Sequence, residues 1–319
     1  MRHIFIINPT SGVRDSKKVI PWIKEYFENE NDYEIYVTEY EGHATEIANR
    51  YSVRDHVCIY SVGGDGTAYE VLNGLNDNVP MGLIPNGTGN DFHRSIYTEK
   101  FNLKEMLIKT IEGDIHMIDY GVANEHRFLN MFTVGLDAII AKEAENLGIK
   151  NIIPNSLSYV YGVIKSLTKM PKIKFTFKYN GEIIEQDSLL FAVMNGQYYG
   201  GGFRPSPDAK LTDGLFNVLL IESVSVLTLA RFILPYAKGQ HKNIKQIQEF
   251  KLNSFILRAD QKMTYTCDGE IFEDDYFVIT MLEKRLPFKM PKGSVYDDSD
   301  RESKLHSWAN SWWSSNSKF

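Results

Sequence analysis

Apolar and polar positions change rhythm about a third of the way along the chain. Up to that point short apolar runs alternate with stretches of helical spacing. The pattern predicts strands at His3–Ile7, Tyr33–Thr38, His56–Val62 and Met81–Ile84. It predicts helices at Ser16–Phe27, Ala44–Tyr51, Ala68–Leu75 and Asp91–Ile96. Strand starts recur roughly every 20 to 30 residues. That is the spacing of βαβ units and implies a doubly wound parallel sheet with helices on both faces.

From about Asp119 the rhythm becomes antiparallel. Ile173, Phe175, Phe177 and Tyr179 alternate with Lys172, Lys174, Thr176 and Lys178, and Asn180-Gly181 follows as a hairpin turn. Further strands are predicted at Leu189–Met194, Leu215–Ile221, Phe250–Ala259, Met263–Cys267 and Tyr276–Met281. Helical breaks fall near Ala138–Leu147, Ser156–Thr168 and Val226–Lys238. The expected fold is α/β: an N-terminal doubly wound parallel-sheet domain over 1–118, open to completion by 283–298, and a mainly antiparallel β-sandwich over 119–282. A polar tail over 299–319 carries Leu305, Trp308, Ala309, Trp312 and Trp313 at helical spacing.

Glycine-bearing polar loops end the predicted parallel strands. They are Asn8-Pro9-Thr10-Ser11-Gly12, Thr38 to His43, Gly63-Gly64-Asp65-Gly66-Thr67 and Pro85 to Asp91. In such folds ligands bind outside the carboxyl ends of the strands. Glycines let a backbone approach phosphate, and the following helix N-terminus adds N–H donors. A carboxylate such as Asp65 repels phosphate, so its presence in a phosphate cradle suggests a bridging metal ion. Beyond these, Asp268-Gly269-Glu270 follows a strand, and one carboxylate could take a proton from an attacking hydroxyl while its neighbour positions it. A hairpin turn is the competing reading. Asp213, in the loop from Gly200 to Leu215, suits either a turn or a hard cation held with backbone carbonyls.

Composition narrows the picture. The 319 residues are 43% hydrophobic and 24% charged, with net charge −6. No strongly basic patch offers itself to nucleic acid. Cys58 and Cys267 stand in apolar runs and read as small buried hydrophobes of a reducing compartment. No signal peptide or apolar run of about 20 residues appears, so the expectation is a cytoplasmic protein touching the inner face of a membrane.

The ordered set of Asn8–Gly12, Gly63–Thr67, Pro85–Asp91, Ala209–Gly214 and Asp268–Glu270 resembles the diacylglycerol kinase catalytic domain family, in particular its bacterial soluble lipid kinases. The resemblance covers roughly residues 1 to 290. It implies ATP-dependent phosphorylation of a lipid hydroxyl, with Mg²⁺. ATP would meet Asn8, Pro9, Thr10, Ser11, Gly12, Thr38, Gly63, Gly64, Asp65, Gly66, Thr67, Thr88, Asn90 and Asp91. Asp65 would face the phosphates and the catalytic Mg²⁺. Glu270 would be the general base, beside Asp268. Asp213, with the carbonyls of Lys210 and Leu215, would match a second Mg²⁺ site near Asp119. The implied partner is a lipid with a free hydroxyl; a homodimer stays open. The competing functions are a kinase for a soluble acceptor such as NAD and a nucleotide-binding regulator without turnover.

Overall fold

The computed structural model describes residues 1–12, 15–146, 173–179 and 181–296. The helix expected at Ser156–Thr168, Asn180 of the hairpin turn and the Trp-bearing tail lie outside them.

Four parallel strands form the first layer: β1 (Arg2–Ile7), β2 (Tyr33–Val37), β3 (Val57–Gly63) and β4 (Met81–Pro85), in the order β4-β3-β1-β2. Alternation of side chains sends Ile4, Ile6, Ile59, Met81 and Leu83 to one face. There they meet α2 (His43–Ala48), α3 (Asp65–Gly74) and α4 (Asp91–Ile96) through Ile47, Val71, Leu72 and Phe92. Phe5, Ile7, Cys58, Tyr60 and Ile84 go to the other face. They meet Val19 and Ile23 of α1 (Val19–Tyr26) and Leu107 and Ile111 of α5 (Leu103–Glu112). This is the doubly wound layer that the hydrophobic rhythm predicts. The chain leaves β1 to one side for β2 and returns to the other side for β3. That reversal opens a crevice between the loops that follow β1 and β3.

The second layer is antiparallel. It contains β5 (Ile115–Ala123), β6 (His126–Phe128), β7 (Met131–Gly135), β8 (Ile173–Tyr179), β9 (Glu182–Met194), β10 (Phe216–Glu222), β11 (Ile247–Leu252), β12 (Ser254–Cys267) and β13 (Glu270–Lys289). The long strands change partners along their length within one continuous 13-stranded sheet. β9 pairs with β8 through Glu182–Ser188 and with β7 through Leu190–Met194. β12 pairs with β8 at Ile256–Ala259 and with β7 at Tyr265–Cys267, shifting register between Arg258 and Met263. A bulge of this kind lets one strand turn a corner. Inside stands an aromatic core that includes Phe128, Phe132, Phe175, Phe177, Phe191, Phe255 and Phe277. Outside, α6 (Leu136–Asn146) and α7 (Val226–Ala237) contribute Leu136, Leu229, Phe232 and Tyr236 to a third apolar cluster.

The layers are continuous. β13 pairs with β12, bends where its register on β5 shifts between Leu282 and Leu286, then aligns Phe288 and Lys289 with Met81 and Gly82 of β4. Residue 118 lies inside β5, paired with Leu286. The run expected as one strand at Phe250–Ala259 is broken at Asn253, because its first half pairs with β10 and its second with β8 and β13.

Candidate active site

The cleft begins with the loop after β1. Asn8 accepts from the backbone N–H and hydroxyl of Thr10 through Oδ1, both at 3.0 Å, and donates from Nδ2 to Thr67 Oγ1 at 3.1 Å. That bond ties the first loop to the first turn of α3. Helix α3 starts at Asp65, three residues earlier than the apolar periodicity predicts, with Gly64 as its N-cap. The N–H groups of Gly66 and Thr67 therefore belong to an open helix end.

The third loop locks onto the first two. Ser16, fully buried, has its Oγ within 3.0 Å of Ser11 Oγ and 2.7 Å of the donating Asn86 Nδ2. Gly87 donates to Asn90 Oδ1 at 2.9 Å, and Asn90 Nδ2 returns the bond to Gly87 O at 2.8 Å. The loops after β3 and β4 touch backbone to backbone: a Cβ on Gly64 would stand 3.2 Å from Gly87 Cα, and one on Gly87 would collide with Gly64 Cα. Gly12, at φ +77°, meets the carbonyl of Asn86 in the same way. At these positions the glycines serve the approach of loop to loop.

Asp65 Oδ2 accepts from the backbone N–H of Asp91 at 3.2 Å. Burial raises its pKa, opposed by the N–H groups of Asp91, Phe92 and Asn90. The carboxylate thus braces the first turn of α4. Asp91 is pushed up to about 7, first by burial and then by the Asp65 charge, while Gly201 N–H donates to its Oδ2 at 2.8 Å.

Glu270 starts β13 and reaches across from the sandwich. A Cβ on Gly66 would lie 2.8 Å from Glu270 Oε1, so this carboxylate sits directly over the first turn of α3. A cavity of about 380 Å³ joins these parts; its walls include Asn8, Pro9, Thr10, Thr38, Thr67 and Glu270. Four glutamates line it, Glu39, Glu41, Glu70 and Glu270, with no lysine or arginine among the described residues. Arg14 lies outside those residues. The glycine-loop pattern does not reach Glu70, although it falls three residues after Thr67 on one helix face; its Oε2 accepts from Ala44 N–H at 3.0 Å.

Asp268 does not line this cavity. Its two oxygens accept from Leu129, Asn130 and Met131 N–H at 2.6, 2.9 and 2.9 Å, and burial still pushes its pKa up to about 7. It holds the turn between β6 and β7 in place. Ser11, Gly12, Gly63, Gly64, Asp65, Gly66, Thr88 and Asp91 are also absent from the cavity wall. Asn90 lines a separate cavity of about 480 Å³, with His93, Arg94 and Tyr198.

At the far acidic cluster, Asp213 Oδ1 accepts from Leu215 N–H at 3.3 Å, and Lys251 Nζ stands 3.8 Å from Oδ2. Fully buried Asp119 accepts from Gly214 and Lys284 N–H, both at 2.7 Å. Burial raises the Asp119 pKa, and the charges of Asp213 and Glu283 add to that. Lys210 is exposed. Among the described residues no group of three His, Cys, Asp or Glu side chains is placed to hold a metal ion. Both acidic sites offer oxygen ligands, the hard donor type that Mg²⁺ takes, and Mg²⁺ commonly binds one or two carboxylates together with substrate phosphates.

Fold and cleft define a class: an α/β layer of nucleotide-binding build, continuous with a β-sandwich that delivers one carboxylate to its loops. Residues 2–123 match the family model for the diacylglycerol kinase catalytic domain. Residues 130–280 match that for the YegS C-terminal NAD kinase beta sandwich-like domain. The chain is 30% identical over 270 residues to a diacylglycerol kinase of Staphylococcus haemolyticus (strain JCSC1435), covering 83% of this chain and 81% of that one. It is 29% identical over 276 residues to a diacylglycerol kinase of Bacillus subtilis (strain 168), covering 83% and 88%. A crystal structure of a diacylglycerol kinase from Bacillus anthracis str. Sterne shares the fold, with TM-score 0.67 and 22% identity over 91% of this chain and 97% of that one. The chain belongs to the diacylglycerol kinase catalytic domain family.

Proposed function

We propose that this lipid kinase moves the terminal phosphoryl group of ATP onto the free hydroxyl of diacylglycerol or a closely related lipid. The observation that carries the reading is Glu270: a carboxylate from the sandwich overhangs the first turn of α3, in the cavity lined by Asn8, Thr10 and Thr67. The loop after β1 and the open end of α3 would cradle the phosphates. Glu270 would take the proton of the lipid hydroxyl as its oxygen bonds to the γ-phosphorus. The bridging bond to the β-phosphate breaks and ADP leaves. Asp268 acts at one remove, by holding the Leu129–Met131 turn. Asp65 and Asp91 keep the loop at Asn90 in register with α3.

Mg²⁺, when bound, neutralises charge on the transferring phosphoryl group. Asp65, the first residue of α3, is the proposed ligand of that ion together with the phosphates. Asp213, with the carbonyls of Lys210 and Leu215, is the proposed place of a second Mg²⁺, where Asp119 and Glu283 add negative charge. The acceptor is a membrane lipid, so the proposed setting is transient contact with the inner face of the membrane.

Transfer of labelled phosphate from ATP to a panel of acceptors tests the reading. A short-chain diacylglycerol should be labelled and NAD should not. Glu270→Gln should keep nucleotide affinity and lose about 10²–10⁴-fold in rate, as loss of a general base does. Preferential labelling of NAD, or an unchanged rate in the variant, overturns it.

A further inference from the structure

Helix α7 is apolar on two sides. Leu229, Phe232 and Tyr236 are buried in a cluster with Tyr199, Leu219 and Ile221. The opposite side carries Leu227, 75% exposed, and Leu234, 66% exposed. Leu227, Arg231, Leu234 and Lys238 succeed one another at i, i+4, i+7 and i+11, so they form one stripe along the helix. Arg231 and Lys238 are exposed, as is Ala230 beside them. The buried side already holds the helix to the sandwich, and Ser225 Oγ caps it by accepting from Thr228 N–H at 3.3 Å. The outer leucines are not needed for the fold.

Charge tells what the stripe suits. Between Ser223 and Gln248 the chain carries Arg231, Lys238, Lys242 and Lys245 and no Asp or Glu, in a protein of net charge −6; of these Lys242 is spent on an ion pair with Asp208 at 2.6 Å. A single exposed leucine is ordinary. Leucines alternating with cations along one helical stripe, free of acidic residues, match the profile of an interfacial helix on anionic lipid. The long stems of Arg231 and Lys238 let the charges rise to headgroup level while the leucines sink below it.

We infer that the outer face of α7 is the surface by which this protein docks on an anionic bilayer. Leu227 and Leu234 seat at the acyl boundary, and Arg231 and Lys238 meet lipid phosphates. The helix is 12 residues, about 18 Å, lying in the interface plane. Its last turn is tied toward the catalytic loops: Arg204 N–H donates to Ala237 O at 2.7 Å, and the same glycine-rich loop donates from Gly201 to Asp91. The inference rests on the lipid-kinase reading only for the reason a bilayer is met.

The test is co-sedimentation of the full chain with vesicles of phosphatidylcholine alone and of phosphatidylcholine mixed with phosphatidylglycerol. Wild type should bind the anionic vesicles. Leu227→Gln/Leu234→Gln should lower that partitioning about tenfold or more, and Arg231→Glu/Lys238→Glu should do so on anionic vesicles only. Both variants should keep the thermal midpoint and the rate on a short-chain, water-soluble diacylglycerol. No binding by wild type, or equal binding by the variants, overturns the inference. So does a wild-type dimer that the substitutions split without changing vesicle binding, which would make the face an interface between copies. If no form phosphorylates the soluble lipid while the difference on vesicles stands, the lipid-kinase reading fails and the docking surface survives.

Discussion

Asp65 shows how a residue's type and its partners divide the information. As a letter it is a carboxylate in a phosphate-type loop. As a placed group it accepts from the first turn of α4. Asp65→Asn keeps one acceptor oxygen, so it should fold normally and lose turnover with the charge. Asp65→Ala leaves buried N–H groups without that acceptor and should cost about 1–3 kcal/mol in urea unfolding as well. Equal stability of the two variants would show that the brace is inert. His93 gives a pH test. It is 2% exposed, and burial holds its pKa down to about 4, with Arg94 adding to the effect. The unfolded chain takes up that proton nearer 6.5, so stability is lost as pH falls from about 6.5 to about 4. His93→Gln should flatten the acid-side decline by up to about 3 kcal/mol. An identical decline in the variant argues against the buried neutral form. Asp268 works in the other direction: its raised pKa makes its contribution largest at low pH and smaller as pH rises toward 7.

Helices and strands were the most legible features. The apolar rhythm marks all four parallel strands and α1 to α4 to within a few residues, because their faces are buried at fixed period. It misses α5, β5, β6 and β7 and shortens β13, which runs from Glu270 to Lys289. A strand that bends and changes partners leaves no single period to read. Element packing also explains Gly74, where a Cβ would collide with the backbone carbonyl of Thr45 and force α2 away from α3. Gly74→Ala should therefore destabilise by about 1–3 kcal/mol despite the better helix propensity of alanine. A gain in thermal midpoint would mean that the two helices can separate at no cost. Because α2 carries Ala44 in the cleft wall, the same variant should also weaken nucleotide binding.

At the scale of the molecule the cleft is a junction of charge as well as of layers. Four glutamates face the space proposed for a triphosphate. ATP at about 100 times its Kd should add about 2.7 kcal/mol of stability when Mg²⁺ is present, and far less with a chelator. Equal stabilisation in both would remove the cation from the binding step. The candidate site was legible in part. The loops of Asn8, Gly63 and Asn86 are legible as a set, because a lone glycine cluster marks any tight turn but here several follow successive predicted parallel strands. Local pattern alone does not separate Asp268 from Glu270, which stand two apart, and only the family resemblance points to Glu270; in the structure one is consumed by three backbone N–H groups and the other overhangs Gly66. By itself, then, the sequence determines the parallel layer, the loops and the inventory of carboxylates, since burial period and turn chemistry are local. Only the tertiary structure decides which loops touch, which acids serve as braces, and that β13 carries Glu270 to α3. Those outcomes depend on backbone groups distant in sequence, and no local pattern encodes them.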